Sequence, residues 1–168
     1  MSTQAPKPLP DRQDIDNGQF WSGTDKGELQ VKRCGDCSRH HWPPRLGCPY
    51  CGSGRLEWVA VSPKGEVFSW TVVHRSQTPG FETETPYAVV LVELADAPGV
   101  RMIGNLVNCA PDQLKAGLVV EAVFTPSADA AVTLVNWQPA ARALRQCPGA
   151  EVRIISATPS FANFGVTF

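Results

Sequence analysis

Four cysteines form two C-x-x-C pairs in the stretch CGDCSRHHWPPRLGCPYC, at Cys34, Cys37, Cys48 and Cys51. One tight turn brings two sulfurs to a single ion, and two such turns supply the four soft ligands that Zn²⁺ takes in a closed tetrahedral site. The pattern predicts a structural zinc with no position left for water or substrate, holding a segment too small to fold by burial alone. Gly35, Gly47 and Gly52 are expected to relieve the backbone of the turns. The alternative metal is iron in a redox centre, which requires an electron partner. His40 and His41 lie between the pairs and read as loop residues, since four thiolates already complete the ligand set. Lys32, Arg33, Arg39, Arg45 and Arg55 surround the pairs in sequence. Two readings of these cations stay open: they offset the net charge of a zinc tetrathiolate, or they form a phosphate-binding patch for a nucleotide head group.

The rest of the chain divides by pattern. Residues 1–28 hold a Pro-rich polar start, expected to be disordered, and then a short helical segment that carries Phe20 and Trp21. Gly18, Gly23 and Gly27 limit the length of that helix. The ribbon is assigned to residues 29–56. From Leu56 onward the sequence turns to short β-branched and aromatic runs bounded by Gly, Pro, Asp or Asn: LEWVAVS, GEVFSWTVVHRS, YAVVLVEL, VRMIGNLVN, LVVEAVFTP and VTLVNWQP. In EVFSWTVV, strict alternation sets Val67, Ser69, Thr71 and Val73 on one face and Phe68, Trp70 and Val72 on the other. Five or six such strands in residues 57–139, with one helical turn at APDQLKAG, predict a mostly β chain ending in a small closed barrel, because closure removes exposed edges. Residues 140–168 read as an extension with Phe161, Phe164 and Phe168 near its end.

Charge narrows the function. Residues 66–139 carry three Lys or Arg against eight Asp or Glu, whereas a groove that tracks phosphates needs cations along it. A single-strand-binding ribbon and barrel is therefore the alternative reading rather than the first. No apolar run approaches the roughly 20 residues that span a bilayer, and the N-terminus lacks the apolar core of a signal peptide, so the expectation is a soluble cytoplasmic protein. No nucleophile with a paired base stands out. His74, Cys109 and Cys147 have no sequence neighbour that marks them as catalytic.

The order FWSGTDKGELQVKRCGDCSRHHWPPRLGCPYCGS, then LEWVAVSPKGEVFSWTVVHR, then PYAVVLVELADAPGVRMIGNLVNCAPDQLKAGLVVEAVF resembles the DUF35 family of acyl-CoA-associated proteins. The resemblance runs from about Phe20 to Trp137. It implies an N-terminal helical segment, a rubredoxin-like zinc ribbon and an OB-fold barrel. By the same resemblance the chain is an accessory subunit of an acyl-CoA-processing hetero-oligomer. Its partner would be a thiolase-fold enzyme, such as a thiolase, an acyltransferase or a steroid side-chain aldolase, and catalysis would reside there. Acyl-CoA would be a ligand shared with that partner. Phe20, Trp21, Arg33, Arg45, Tyr87, Phe161, Phe164 and Phe168 are the candidates for a ligand or partner surface.

Overall fold

The structure is a computed structural model and describes residues 6–141 apart from 82 and 128–130. Phe161, Phe164 and Phe168 lie outside the described residues. An Asx turn precedes the first helix: Asp14 Oδ1 accepts from the backbone N–H groups of Asp16 and Asn17 and from Asn17 Nδ2. Helix α1 (Gly18–Thr24) follows directly. Gly18 is required at its start, because a Cβ there would stand 2.8 Å from the Arg12 carbonyl oxygen. Arg12 then ties the helix end to the barrel by pairing with Asp25 and donating to the Ala131 carbonyl at 3.0 Å. The described part of the Pro-rich start is also anchored: Lys7 pairs with Glu84 and lies 4.6 Å from the Phe81 ring centroid.

Strands β1 (Leu29–Cys34), β2 (His40–His41) and β3 (Leu56–Val61) form an antiparallel sheet in the order β2-β1-β3. The run at Leu56–Val61 therefore belongs with the ribbon, where Leu29↔Val61 and Cys34↔Leu56 bound its register. The barrel begins at β4 (Lys64–Val73) and closes through β5 (Tyr87–Leu94), β6 (Arg101–Leu106), β7 (Val119–Pro126) and β8 (Thr133–Pro139) in the order β4-β5-β6-β8-β7. The helical turn expected near Pro111 is a 3-10 turn at Pro111–Gln113.

Strict alternation fails in β4 for a local reason. A register shift between Val67 and Ser69 makes a bulge at Phe68, and a bulge inserts one unpaired residue that bends the strand. Val67 points into the core opposite Val92, while Ser69 and Thr71 are exposed. Phe68 and Trp70 also remain exposed rather than joining the core. The barrel interior is filled by Val67, Ala88, Val90, Val92, Met102, Leu118, Val120 and Trp137. Each large apolar side chain of that set contributes about 1.5–3 kcal/mol on burial. The same apolar cluster takes in Phe20, Leu29 and Val31, so the inner end of the ribbon sheet shares the barrel's core.

Two close approaches need glycine. At Gly65 a Cβ would overlap the Glu93 carbonyl oxygen and stand 2.6 Å from Val92 Cγ1. At Gly104 it would meet Trp137 Cδ1 at 2.8 Å, where the indole fills the barrel beside the short parallel pairing Leu106↔Trp137 of β6 and β8. Among the described residues no helix is long and apolar enough to cross a membrane.

Gly65→Ala should therefore destabilise the protein by about 1–3 kcal/mol through overpacking. A denaturant midpoint measures this, with Gly54→Ala, where the added methyl meets open space, as the near-neutral control. Equal midpoints for the two variants would contradict the packing described.

Candidate metal centre and adjoining surfaces

The two knuckles fold alike. The N–H of Ser38 donates to the Cys34 carbonyl at 2.9 Å, and the N–H of Gly52 donates to the Cys48 carbonyl at 2.9 Å. Both acceptor turns end in the left-handed region, with Ser38 at φ 60° and Gly52 at φ 76°. Of the three glycines expected to relieve the turns, only Gly52 does so. Gly35 and Gly47 have no positive φ, a Cβ at either would make ordinary contacts, and Ser38 takes the equivalent position in the first knuckle.

The turns bring the four sulfurs together. Cys34 and Cys51 Sγ are 3.6 Å apart, as are Cys37 and Cys48 Sγ, and all four lie within 4.8 Å of one another. A tetrahedral ion with Zn–S bonds of about 2.3 Å would space its sulfurs at about 3.8 Å, so the donor set fits such an ion in type, number and distance. Protonation states point the same way. The backbone hydrogen bond from Cys37 lowers the Cys34 thiol to about 7. Burial opposes ionisation of Cys48, but backbone hydrogen bonds from Tyr50 and Cys51 prevail and lower it. At Cys51 the Ser53 backbone bond favours the thiolate, yet burial and the three neighbouring sulfurs push the thiol up to about 12. Four thiolates at this spacing repel one another, and a bound cation removes that penalty. The four cysteines form a metal-binding cluster.

His40 and His41 are not loop residues: they are strand β2, paired with Arg33 and Lys32. His41 is buried, its Nδ1 is 3.5 Å from the Pro43 carbonyl, and its Nε2 has no partner among the described residues. Burial lowers its pKa, and Lys32 and Arg45 lower it further. The surrounding cations separate by partner. Arg33 pairs with Glu57 at 3.0 Å and Arg55 pairs with Asp36. Lys32 lies 4.7 Å over the Trp58 ring and Arg39 lies 4.8 Å over the Tyr50 ring. Arg45 is exposed.

The remaining surface candidates do not converge on one place. Phe20 is buried and packs on Trp21 and Trp42 at 4.8 and 4.5 Å between ring centroids. These three rings line one side of a cleft of about 350 Å³ whose other side is Met102–Asn105 of β6 and Leu134–Asn136 of β8. Tyr87 instead stacks on Phe81, with centroids 5.7 Å apart. Sequence reasoning missed Trp42 and Tyr50. Both lie in the segment between and within the cysteine pairs, where ligand spacing drew the attention.

On the outer face of β4–β6, Arg101 lies 3.4 Å over the exposed Phe68 ring and donates to Glu93 Oε2 at 3.0 Å. That Arg101 bond, with the N–H of Gly99, holds the Glu93 carboxyl below its usual range. Phe68, one of the exposed aromatics, thus carries an arginine whose charge Glu93 offsets.

Comparison with known proteins adds the following. Residues 21–57 match the family described as the ChsH2 rubredoxin-like zinc ribbon domain, and residues 58–125 match the ChsH2 C-terminal OB-fold domain. A probable enoyl-CoA hydratase alpha subunit of Thermomonospora curvata is 37% identical over 142 residues, which are 83% of this chain and 43% of that protein. The chain thus spans under half the length of that relative. A DUF35 domain-containing scaffold protein of Methanothermobacter thermautotrophicus is 37% identical over 97 residues, covering 57% of this chain and 71% of that one. The solved structure called Ltp2-ChsH2(DUF35) aldolase contains a chain that superposes with a TM-score of 0.67 at 32% identity, covering 79% of this chain and 98% of that one.

Cys34→Ser should abolish stoichiometric metal and unfold the outer ribbon, since one thiolate of four is lost. Metal analysis with thermal melting reads both effects. In the wild type, acidification should release metal, because every ligand must shed a proton to bind, and raising the pH should not. A variant that keeps its metal and melting temperature would overturn the assignment.

Proposed function

The chain belongs to the DUF35 family of ChsH2-type zinc ribbon and OB-fold proteins, and from that membership we propose that it is a non-catalytic accessory subunit of an acyl-CoA-processing complex. The observation that carries this reading is the likeness to nearly the whole of one chain from an aldolase whose name pairs it with a second protein. The hydratase alpha subunit and the scaffold protein, by their names, are likewise parts of assemblies.

In this reading the partner is a thiolase-fold enzyme that supplies the nucleophile and base, and this chain completes or shapes the acyl-CoA site. His74, the histidine outside the ribbon, is exposed just beyond the end of β4. The metal is zinc with a structural role: four thiolates fill a tetrahedral shell and leave no coordination position for a substrate. When bound, it would supply charge and cross-linking to the two knuckles. Cys34, Cys37, Cys48 and Cys51 hold it, and the backbone N–H groups of the knuckles stabilise the thiolates. The parts of the chain divide the work: the N-terminal segment orders the entry to the ribbon, the ribbon binds metal, the barrel contacts the partner, and the C-terminal extension is appended to it.

The experiment is affinity purification from the native source, with mass spectrometry, mass determination of the complex and assays on both species. Expected are an equimolar thiolase-fold chain, one zinc per copy of this chain, acyl-CoA turnover by the complex, and none by the isolated chain. Robust thiolysis or retro-aldol cleavage by the isolated chain would overturn the accessory reading. A red, iron-loaded protein would replace zinc with a redox ribbon. Salt-sensitive binding of single strands would favour the nucleic-acid alternative.

A further inference from the structure

The five cations around the cysteine pairs are not equivalent in the folded chain. Arg33 and Arg55 are held by Glu57 and Asp36, Lys32 lies over the Trp58 ring, and Arg45 is exposed. Among the described residues Lys32 and Arg45 lack a carboxylate partner as Arg39 does, and Arg39 is set apart by its place. It is exposed, its guanidinium lies 4.8 Å over the half-exposed Tyr50 ring, and among the described residues it has no carboxylate partner. Arg39 and Tyr50, with His40 and with Pro98 from the β5–β6 turn, line a hollow of about 380 Å³ between ribbon and barrel.

The segment as a whole stays positive when the metal cluster is counted. Within residues 29–57 the five Lys and Arg exceed Asp36, Glu57 and the two net charges of a metal-loaded tetrathiolate by one. A planar guanidinium stacked on an aromatic ring is a platform that every heterocyclic base can extend, and stacking of that kind is worth about 1–3 kcal/mol per base. Arginine also recognises phosphate through its fixed fork of donors, and His40 lines the same hollow.

We propose that this hollow receives the nucleotide head of acyl-CoA, with the adenine extending the Arg39–Tyr50 stack and a phosphate meeting Arg39 and His40. The ligand class rests on the acyl-CoA reading above. The site itself rests on the arginine that lies over Tyr50 at this hollow. The apolar cleft beside Trp21 and Trp42 lies at a different place, against β6 and β8, and takes no part in head-group binding.

Isothermal titration of the full metal-loaded chain with adenosine 3′,5′-bisphosphate, CoA and pantetheine tests this. The bisphosphate and CoA should bind with Kd at or below about 1 mM, more weakly at high salt, and pantetheine should not bind. Arg39→Ala and Tyr50→Ala should each weaken both nucleotides by tenfold or more. Arg39→Lys, which keeps charge but loses the flat fork, should lie between. Both side chains are exposed, so unchanged metal content and circular dichroism will separate lost binding from lost folding. No binding by the wild type, or equal binding by wild type and both alanine variants, would overturn the site. Neither result touches the accessory reading, which stands or falls on assembly and on turnover by the isolated chain.

Discussion

Convergence of four thiolates on one ion is the constraint from which the outer ribbon takes its shape. Strand β2 is two residues long, and among the segments between β1 and β3 only His41, Pro44 and Cys48 are buried. A segment of that size cannot repay its conformational entropy by apolar burial. The knuckle turns, the short strand and the loop that carries Trp42 all hang from the cysteines. In zinc-finger peptides a comparable ion supplies roughly 10–16 kcal/mol of apparent binding free energy. That scale exceeds any stabilisation available from the few buried side chains of the outer ribbon.

The inner ribbon and the barrel follow a different rule. Leu29 and Val31 alternate into the core that Val90, Val92 and Trp137 occupy, and α1 adds Phe20 to the same cluster. Metal holds one end of the sheet and hydrophobic burial holds the other. Such an arrangement fixes the ribbon against the barrel while leaving the loops between the cysteines on the surface. A protein that works by contacting others can use those loops, because their conformation is set by the ion and not by what they bury.

Much of this was legible in the residues. Ligand spacing identified the metal cluster, and period-two runs bounded by turn residues identified a closed barrel. What escaped was decided by tertiary contacts. Leu56–Val61 has the same β-branched character as the barrel strands, and only its pairing with β1 assigns it to the ribbon. The bulge at Phe68 reverses the facing of half of β4, which no alternation of residue types announces. His40 and His41 became a strand because Arg33 and Lys32 lay opposite them. Ser38 took a left-handed conformation usually left to glycine. Tyr50 acquired a role only when Arg39 folded over it.

Hydrogen exchange with mass spectrometry, comparing the metal-loaded chain with the same chain after chelation, tests the central claim most directly. The account predicts that chelation removes protection from amides in residues 33–56 while amides of β4–β8 stay protected, because the barrel's core does not depend on the ion. Protection retained throughout the outer ribbon after the metal is gone, or lost equally across ribbon and barrel, would contradict it.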